Sequence, residues 1–212
     1  MKYITLFLLL LSLVASANLA TLKDGLLLDS NTNKPYTGNI ETLNENWGEN
    51  KIEFSKDYID GLLHGQERTF YRSGELKSVG YFREGLLNGT VSMYFEDGTL
   101  MGRMEMENNL NNGRGIRYYS NGNKQLERFF VNNKLEGLTR GWYESGNIKT
   151  EKDYKNGLLH GYLKTYYKDG GIYEEVKYEY GKPKFKRAYL EDGTLIDESM
   201  FFDKRLIKLI TG

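Results

Sequence analysis

The sequence predicts an all-β protein: an elongated single-layer antiparallel meander of 24-residue β-hairpin repeats. The main observation is a recurring phrase that appears as "TFYRSGEL", "MYFEDGTL", "RYYSNGNK", "GWYESGNI" and "TYYKDGGI". Each copy has two adjacent aromatic residues followed, after two more residues, by a glycine. The 212 residues also include 24 glycines, 17 tyrosines and only two prolines. This composition is typical of many short strands joined by glycine turns.

The repeats keep a fixed register. The glycine inside the phrase recurs every 24 residues, at Gly74, Gly98, Gly122, Gly146 and Gly170. A second series ahead of the phrase has the same interval, at Gly65, Gly89, Gly113, Gly137 and Gly161. A constant period without insertions indicates that each repeat is one supersecondary unit stacked on its neighbours.

Each repeat is predicted to be a β-hairpin. Pairs such as Asp97-Gly98 and Asn121-Gly122 lie between two strand-like runs, and such pairs favour a two-residue type I′ turn, which needs positive φ. A second set of turns, including "DGLLHG" and "NNKLEG", joins one hairpin to the next. The whole array is therefore predicted to be a continuous antiparallel meander.

Alternation along the second strand of each hairpin predicts one apolar and one polar face. It places Leu76 with Phe82 and Ile148 with Tyr154 on the apolar face. The third repeat departs from the pattern because Lys124 stands where its relatives carry an aliphatic residue.

The aromatic pairs form two columns on opposite faces, because adjacent strand residues point in opposite directions. The first column is Tyr71, Phe95, Tyr119, Tyr143 and Tyr167; the second is Phe70, Tyr94, Tyr118, Trp142 and Tyr166. With a two-residue turn, the first column pairs with the Leu76-type aliphatics and the second stands on the polar face. A three-residue turn with a bulge would exchange the columns, and the sequence leaves both turns open.

Four segments are predicted. Residues 1–17 are a secretory signal peptide, with Lys2, an apolar run from Ile4 to Leu11 and an Ala-Ser-Ala cleavage site. Residues 18–64 form an N-terminal capping hairpin and an irregular first repeat, 65–184 five regular repeats, and 185–212 the last repeat and a C-terminal cap. The protein is therefore expected to be exported, whether periplasmic, in the cell envelope or secreted. The chain has no cysteine, which excludes disulfides and thiolate chemistry.

No enzymatic site is expected. Acidic and basic residues balance at 29 each, so no net field favours nucleic acid. The two histidines, His64 and His160, occupy equivalent repeat positions four periods apart and are interpreted as turn residues. The carboxylates are spread over the repeats, and no nucleophile–histidine constellation or phosphate loop is present. We expect no catalytic residues, no metal and no cofactor.

The repeats resemble the MORN repeat, and specifically a bacterial variant found in YwqK-type antitoxins. The matching residues are "DGLLHG" or "NGLLHG", the aromatic pair, the glycine turn and the opening "NKPYTG". The resemblance implies a β-meander that serves as a scaffold for protein or membrane contacts. The antitoxin label of that family implies binding and neutralising a toxin encoded nearby.

A binding function follows from these expectations. An open repeat array offers an extended surface, and the column on the polar face is the predicted partner-binding site: Phe70, Tyr94, Tyr118, Trp142 and Tyr166. The expected partner is a protein, with a toxin as the family implies. The alternative is a cell-wall or carbohydrate-binding module that uses the same column for sugar rings.

Overall fold

The computed structural model describes residues 21–200, which divide into two units. The first runs to Leu87 and includes the turn Glu96–Gly98; the second holds Asn88–Phe95 and continues from Thr99. The proposed signal peptide and the end of the C-terminal cap lie outside the described residues. No helix within the described residues is long and apolar enough to cross a membrane.

The N-terminal unit contains seven strands and one 3-10 helix. The strands are β1 (Thr21–Lys23), β2 (Leu26–Leu28), β3 (Gly38–Leu43), β4 (Ile52–Ile59), β5 (Leu62–Phe70), β6 (Leu76–Arg83) and β7 (Leu86–Leu87). The 3-10 helix, Glu45–Trp47, follows β3 and accounts for the extra residues of the irregular first repeat. Strands β1 and β2 pair as a separate hairpin, and β3 to β7 pair in chain order.

The C-terminal unit contains eleven strands. They are β8 (Gly89–Tyr94), β9 (Leu100–Glu107), β10 (Leu110–Tyr118), β11 (Lys124–Val131), β12 (Lys134–Leu135), β13 (Gly137–Trp142), β14 (Ile148–Lys155), β15 (Leu158–Tyr166), β16 (Ile172–Glu179), β17 (Lys182–Tyr189) and β18 (Leu195–Met200). Neighbouring strands pair antiparallel, with β11 pairing both β12 and β13. The predicted all-β antiparallel meander of hairpins is confirmed.

Two kinds of turn alternate along the chain. The linking turns are two-residue turns with positive φ at both positions, as at Asn156 and Gly157 (φ 51° and 82°). The turns inside the recurring phrase are longer. At Gly74, the N–H donates to the carbonyl of Tyr71, while the Tyr71 N–H donates to the carbonyl of Glu75. With positive φ at Gly74 alone, this is a three-residue loop with a glycine bulge.

This turn corrects the predicted pairing. Phe70, not Tyr71, lies opposite Leu76, and Lys77 is the extra residue before Thr69 pairs with Ser78. The same one-residue shift separates Trp142↔Ile148 from Gly141↔Thr150. The prediction that Leu76 shares a face with Phe82, and Ile148 with Tyr154, is therefore wrong, because the extra residue reverses the alternation beyond it.

A second irregularity appears in every other repeat. Strands β5, β10 and β15 run uninterrupted, whereas the repeat between the last two is split into β12 and β13. The carboxylate of Asp153 in β14 accepts a 3.0 Å hydrogen bond from the Tyr162 N–H in β15, next to Gly161 with φ 119°. The equivalent acids are Asp57 and Glu105. The intervening repeats have aromatic residues at this position, Tyr81 and Phe129, and both are exposed. This structural feature therefore recurs every 48 residues, that is, in every second 24-residue sequence repeat.

The hydrophobic core is thin, as a single layer requires. The buried apolar side chains among the described residues are Leu27, Leu28, Ile116, Val176 and Ala188. Buried polar side chains accompany them, namely Ser55, Glu127 and Thr139. Hydrogen bonds between strands and side-chain pairs across them must therefore supply much of the stability.

Candidate functional site: the two faces of the C-terminal unit

We name the two faces of the C-terminal unit by their residues. The front face carries Arg140, Trp142 and Glu151, and the back face carries Gly141, Thr150 and Thr165. The assignment follows from register, because residues directly opposite each other share a face and adjacent residues alternate.

A row of alternating charge crosses seven strands of the front face. Each member lies directly opposite the next in the strand pairing. We call it the charged row: Glu127, Arg140, Glu151, Lys164, Glu175, Arg187 and Glu198. Its acids and bases follow one another without a like-charge neighbour, so the row neutralises most of its own charge.

Ion pairs and hydrogen bonds hold the row in place. Arg140 Nε donates to Glu151 Oε1 at 2.9 Å, and Arg187 donates through Nη2 to Glu198 Oε1 at 2.9 Å. Glu127 is 8% exposed and pairs with Arg114 and Lys124. These contacts fix the side chains into one arrangement across the sheet.

The pKa values of the acids respond to these partners. Burial alone would raise the pKa of Glu127, but the hydrogen bond from Arg114 and the charges of Lys124 and Arg114 outweigh it and lower the pKa. The hydrogen bond from Arg140 is the main cause of the lowered pKa of Glu151. Both acids are therefore held in the ionised form.

The predicted partner-binding column lies beside this row. Tyr94, Tyr118, Trp142 and Tyr166 are half-buried on the front face, opposite Leu100, Lys124, Ile148 and Ile172. Its fifth member, Phe70, belongs to the N-terminal unit and is also half-buried. The three-residue turn thus pairs the column with the aliphatic positions, which is the exchange that the sequence left open, and the charged row lies on the same face.

The column and the row are physically linked. Tyr166 donates a 2.7 Å hydrogen bond from its hydroxyl to Glu151 Oε2. Burial, with this bond and the charge of Glu151, raises the pKa of Tyr166 to about 12. Lys124 Nζ lies 5.4 Å from the ring centroid of Trp142 and 3.4 Å from Glu127 Oε2. The departure from the repeat pattern at Lys124 therefore places a cation between the row and the column.

The row is not apparent from composition. Glu127, Glu151 and Glu175 are 24 residues apart, as are Arg140 and Lys164. That periodic charge is the signal in the sequence, but only the strand register shows that the acids and bases lie opposite each other. Beyond the row, Phe129 and Tyr162 are exposed on the same face.

Three tyrosines of the first aromatic column form hydrogen bonds between successive repeats. Tyr119, Tyr143 and Tyr167 donate from their hydroxyls to the backbone carbonyls of Trp142, Tyr166 and Tyr189, at 2.8, 2.7 and 2.8 Å. Each bond joins the tip of one hairpin to the next. These tyrosines therefore tie successive repeats together.

His160 also has a structural contact. Its Nδ1 accepts a 3.3 Å hydrogen bond from the Tyr180 N–H, and the two rings lie 4.6 Å apart. Equivalent residues accept from the following linking turn, as Asn88 does from Asn108 and Glu136 from Asn156. In residues 21–200, no group of three or more acidic or histidine side chains could hold a metal ion.

The C-terminal unit thus belongs to the class of open repeat sheets with a network of aromatic and charged side chains on one face. The family model for the MORN repeat variant matches residues 63–84, 87–108 and 135–156. These stretches begin 24 and 48 residues apart, in step with the hairpin period. The chain therefore carries MORN-variant repeats at these positions. No curated protein matches the chain.

Proposed function

We propose that this chain is an exported, non-enzymatic repeat scaffold that binds a protein partner through the front face of the C-terminal unit. One observation carries the proposal: Arg140 and Tyr166 both bind Glu151, and Trp142, which packs under Lys124, lies on the same face two residues from Arg140. Tryptophan, tyrosine and arginine are the residues most enriched at the energetic centres of protein interfaces.

The network also favours a protein partner on energetic grounds. Because Arg140 Nε and the Tyr166 hydroxyl already bind Glu151, covering these two groups does not leave them unpaired. The alternating charged row gives the face no strong net field, so it favours a partner with its own alternating charges over a polyanion. Such complementarity gives specificity and register rather than raw affinity.

The partner proposal is tested with the product of the adjacent reading frame. We expect the purified proteins to form a complex and Trp142→Ala to weaken it by about 2 kcal/mol, the cost of truncating an aromatic interface anchor. Tyr180→Ala is the matched control, because Tyr180 is an aromatic residue 57% exposed at a linking turn. Equal affinity of wild type and Trp142→Ala would contradict use of the front face.

An antitoxin-like role is the finer part of the proposal and rests on the family resemblance. If it holds, expression of the adjacent gene alone stops growth, and co-expression of this chain restores it. The Trp142→Ala variant is expected to restore growth less well. If expression of the adjacent gene does not impair growth, the antitoxin role is contradicted, whereas the scaffold proposal is unaffected.

Export is proposed from the composition of residues 1–17. Cleavage after Ala17 predicts a mature protein that begins at Asn18, and the intact mass of the protein from an envelope or secreted fraction measures this directly. A chain that retains residues 1–17 in that fraction would contradict cleavage.

A further inference from the structure

A shallow depression lies on the back face of the C-terminal unit, and Tyr166 of the front-face column also contributes to its lining. Its volume is about 410 Å³, and its walls include Tyr143, Tyr167 and Tyr173. This volume falls within the range of roughly 300 to 1,000 Å³ that is usual for small-molecule sites. The three rings come from the tips of two successive hairpins.

Small side chains leave the depression open. Thr150 lies opposite both Gly141 and Thr165 in the strand pairing, and the two threonines line the floor. On the other side of Gly141, its partner across the strands is Leu126, which has a larger side chain than threonine. The side chains of the back face therefore protrude least at Thr150 and Thr165, between the tyrosine rings.

Hydrogen bonds and one ring contact hold the tyrosine walls. The hydroxyls of Tyr143 and Tyr167 are bound to backbone carbonyls, at 2.7 and 2.8 Å. Tyr173 packs against Tyr167 with ring centroids 5.2 Å apart and an angle of 76° between the planes, and its side chain is 48% exposed. Lys149 occupies the position equivalent to Tyr173 one repeat earlier. Of these two hairpins, only the second therefore has two tyrosine rings in contact at its tip.

Polar groups surround the rings. Lys149 Nζ lies 5.5 Å from the Tyr143 ring centroid, and Lys168 and Glu191 also line the depression. The threonine hydroxyls add groups that can both donate and accept hydrogen bonds. A ligand must therefore present an apolar surface to the rings and several hydroxyl-like groups to the rim.

We propose that this back-face depression binds a saccharide, with the apolar face of one sugar ring on Tyr173 and its hydroxyls directed to Lys149, Thr150 and Glu191. Pyranose rings combine an apolar C–H face with a rim of donors and acceptors, which matches this arrangement. A buried apolar side chain of a protein partner fits less well, because the depression is shallow and polar at its edge. The saccharide proposal does not rest on the proposed protein partner, although Tyr166 belongs to both the lining and the front-face network.

Titration of the full chain with cellotetraose, chitotetraose and tetragalacturonate tests the proposal. We expect at least one of them to bind saturably and to shift the backbone NMR signals of Thr150, Thr165 and Tyr173. Tyr173→Ala should weaken that binding about tenfold, as expected for loss of a stacked ring. Tyr81→Ala is the matched control, since Tyr81 is similarly exposed, at 44%, in the N-terminal unit.

The outcomes are decisive in either direction. Binding that maps to the three back-face residues and is lost selectively in Tyr173→Ala supports the site. If none of the three saccharides binds, or if the shifts centre on Trp142, the proposal is overturned. It is also overturned if a proline-rich peptide binds the depression and the saccharides do not. Because the NMR mapping uses the wild-type chain, a misfolded variant does not affect it.

Discussion

The hydroxyl of Tyr143 donates a 2.7 Å hydrogen bond to the backbone carbonyl of Tyr166, 23 residues further along the chain. The bond joins the tip of one hairpin to the last residue of β15 in the next repeat. Tyr119 and Tyr167 make the same contact one repeat before and after. A sheet of one layer has little core, so such bonds between repeats are a substantial part of what holds the hairpin tips together.

Removal of this hydroxyl is expected to destabilise the protein. Tyr143→Phe should lower the free energy of unfolding by about 1 kcal/mol, the usual net contribution of one hydrogen bond. Urea unfolding followed by circular dichroism measures it. The control is Tyr180→Phe, at an exposed tyrosine outside the tips, which should change the stability little. An unchanged midpoint for Tyr143→Phe would show that the tip bond does not contribute.

Acid should weaken the front-face network. The folded-state pKa of Glu151 is lowered from its ordinary value of 4.5, with the Arg140 hydrogen bond as the largest cause. The stabilisation it supplies is therefore fully present above about pH 4.5 and is lost as the pH falls through the lower folded-state value. Glu127 behaves in the same direction.

The Glu151→Gln variant tests this pH dependence. It should cost about 1 kcal/mol at neutral pH, because it removes a partly exposed ion pair and weakens one phenol hydrogen bond. The difference from wild type should shrink as the pH falls through the lowered folded-state pKa of Glu151, below which this residue is protonated in both states. Unfolding midpoints measured from pH 3 to 7 would contradict the assignment if the difference stayed constant.

Gly161 should tolerate no side chain. Its φ is 119°, and an added Cβ would lie 2.7 Å from the Cβ of Asp153. Gly170, with φ 105° and no atom within 4 Å of such a Cβ, is the matched control. Gly170→Ala should cost about 1 to 2 kcal/mol from backbone strain alone, and Gly161→Ala at least about 1 kcal/mol more from the clash.

Thermal and urea unfolding of both alanine variants compare the two glycines. Equal losses would show that the strand shifts to accommodate the methyl group. A larger loss at Gly161 that diminishes when Asp153→Gly is added would identify this side chain as the obstacle. The hydrogen bond from the Tyr162 N–H to Asp153 would be lost in that double variant, so the relief is expected to be partial.

The sequence was sufficient for the repeat and the hairpin fold, because both depend on local chemistry repeated at a fixed interval. Glycine at position 74 and at its equivalents specifies a turn wherever it occurs, and the aromatic pair marks the strand before it. The interpretation of His160 as a turn residue is wrong, because it lies within β15 and its Nδ1 accepts from the Tyr180 N–H of the next linking turn.

The tertiary structure decided the faces. A loop of two residues and a loop of three are both compatible with Ser73-Gly74. The three-residue loop moves Leu76 from Tyr71 to Phe70, and the extra residue Lys77 then shifts the pairs beyond it. The charged row depends on the same register: Glu127 and Arg140 are 13 residues apart and meet only because their strands pair at that position. Periodicity in a sequence determines which residues are equivalent, whereas hydrogen-bond register between strands determines which residues meet.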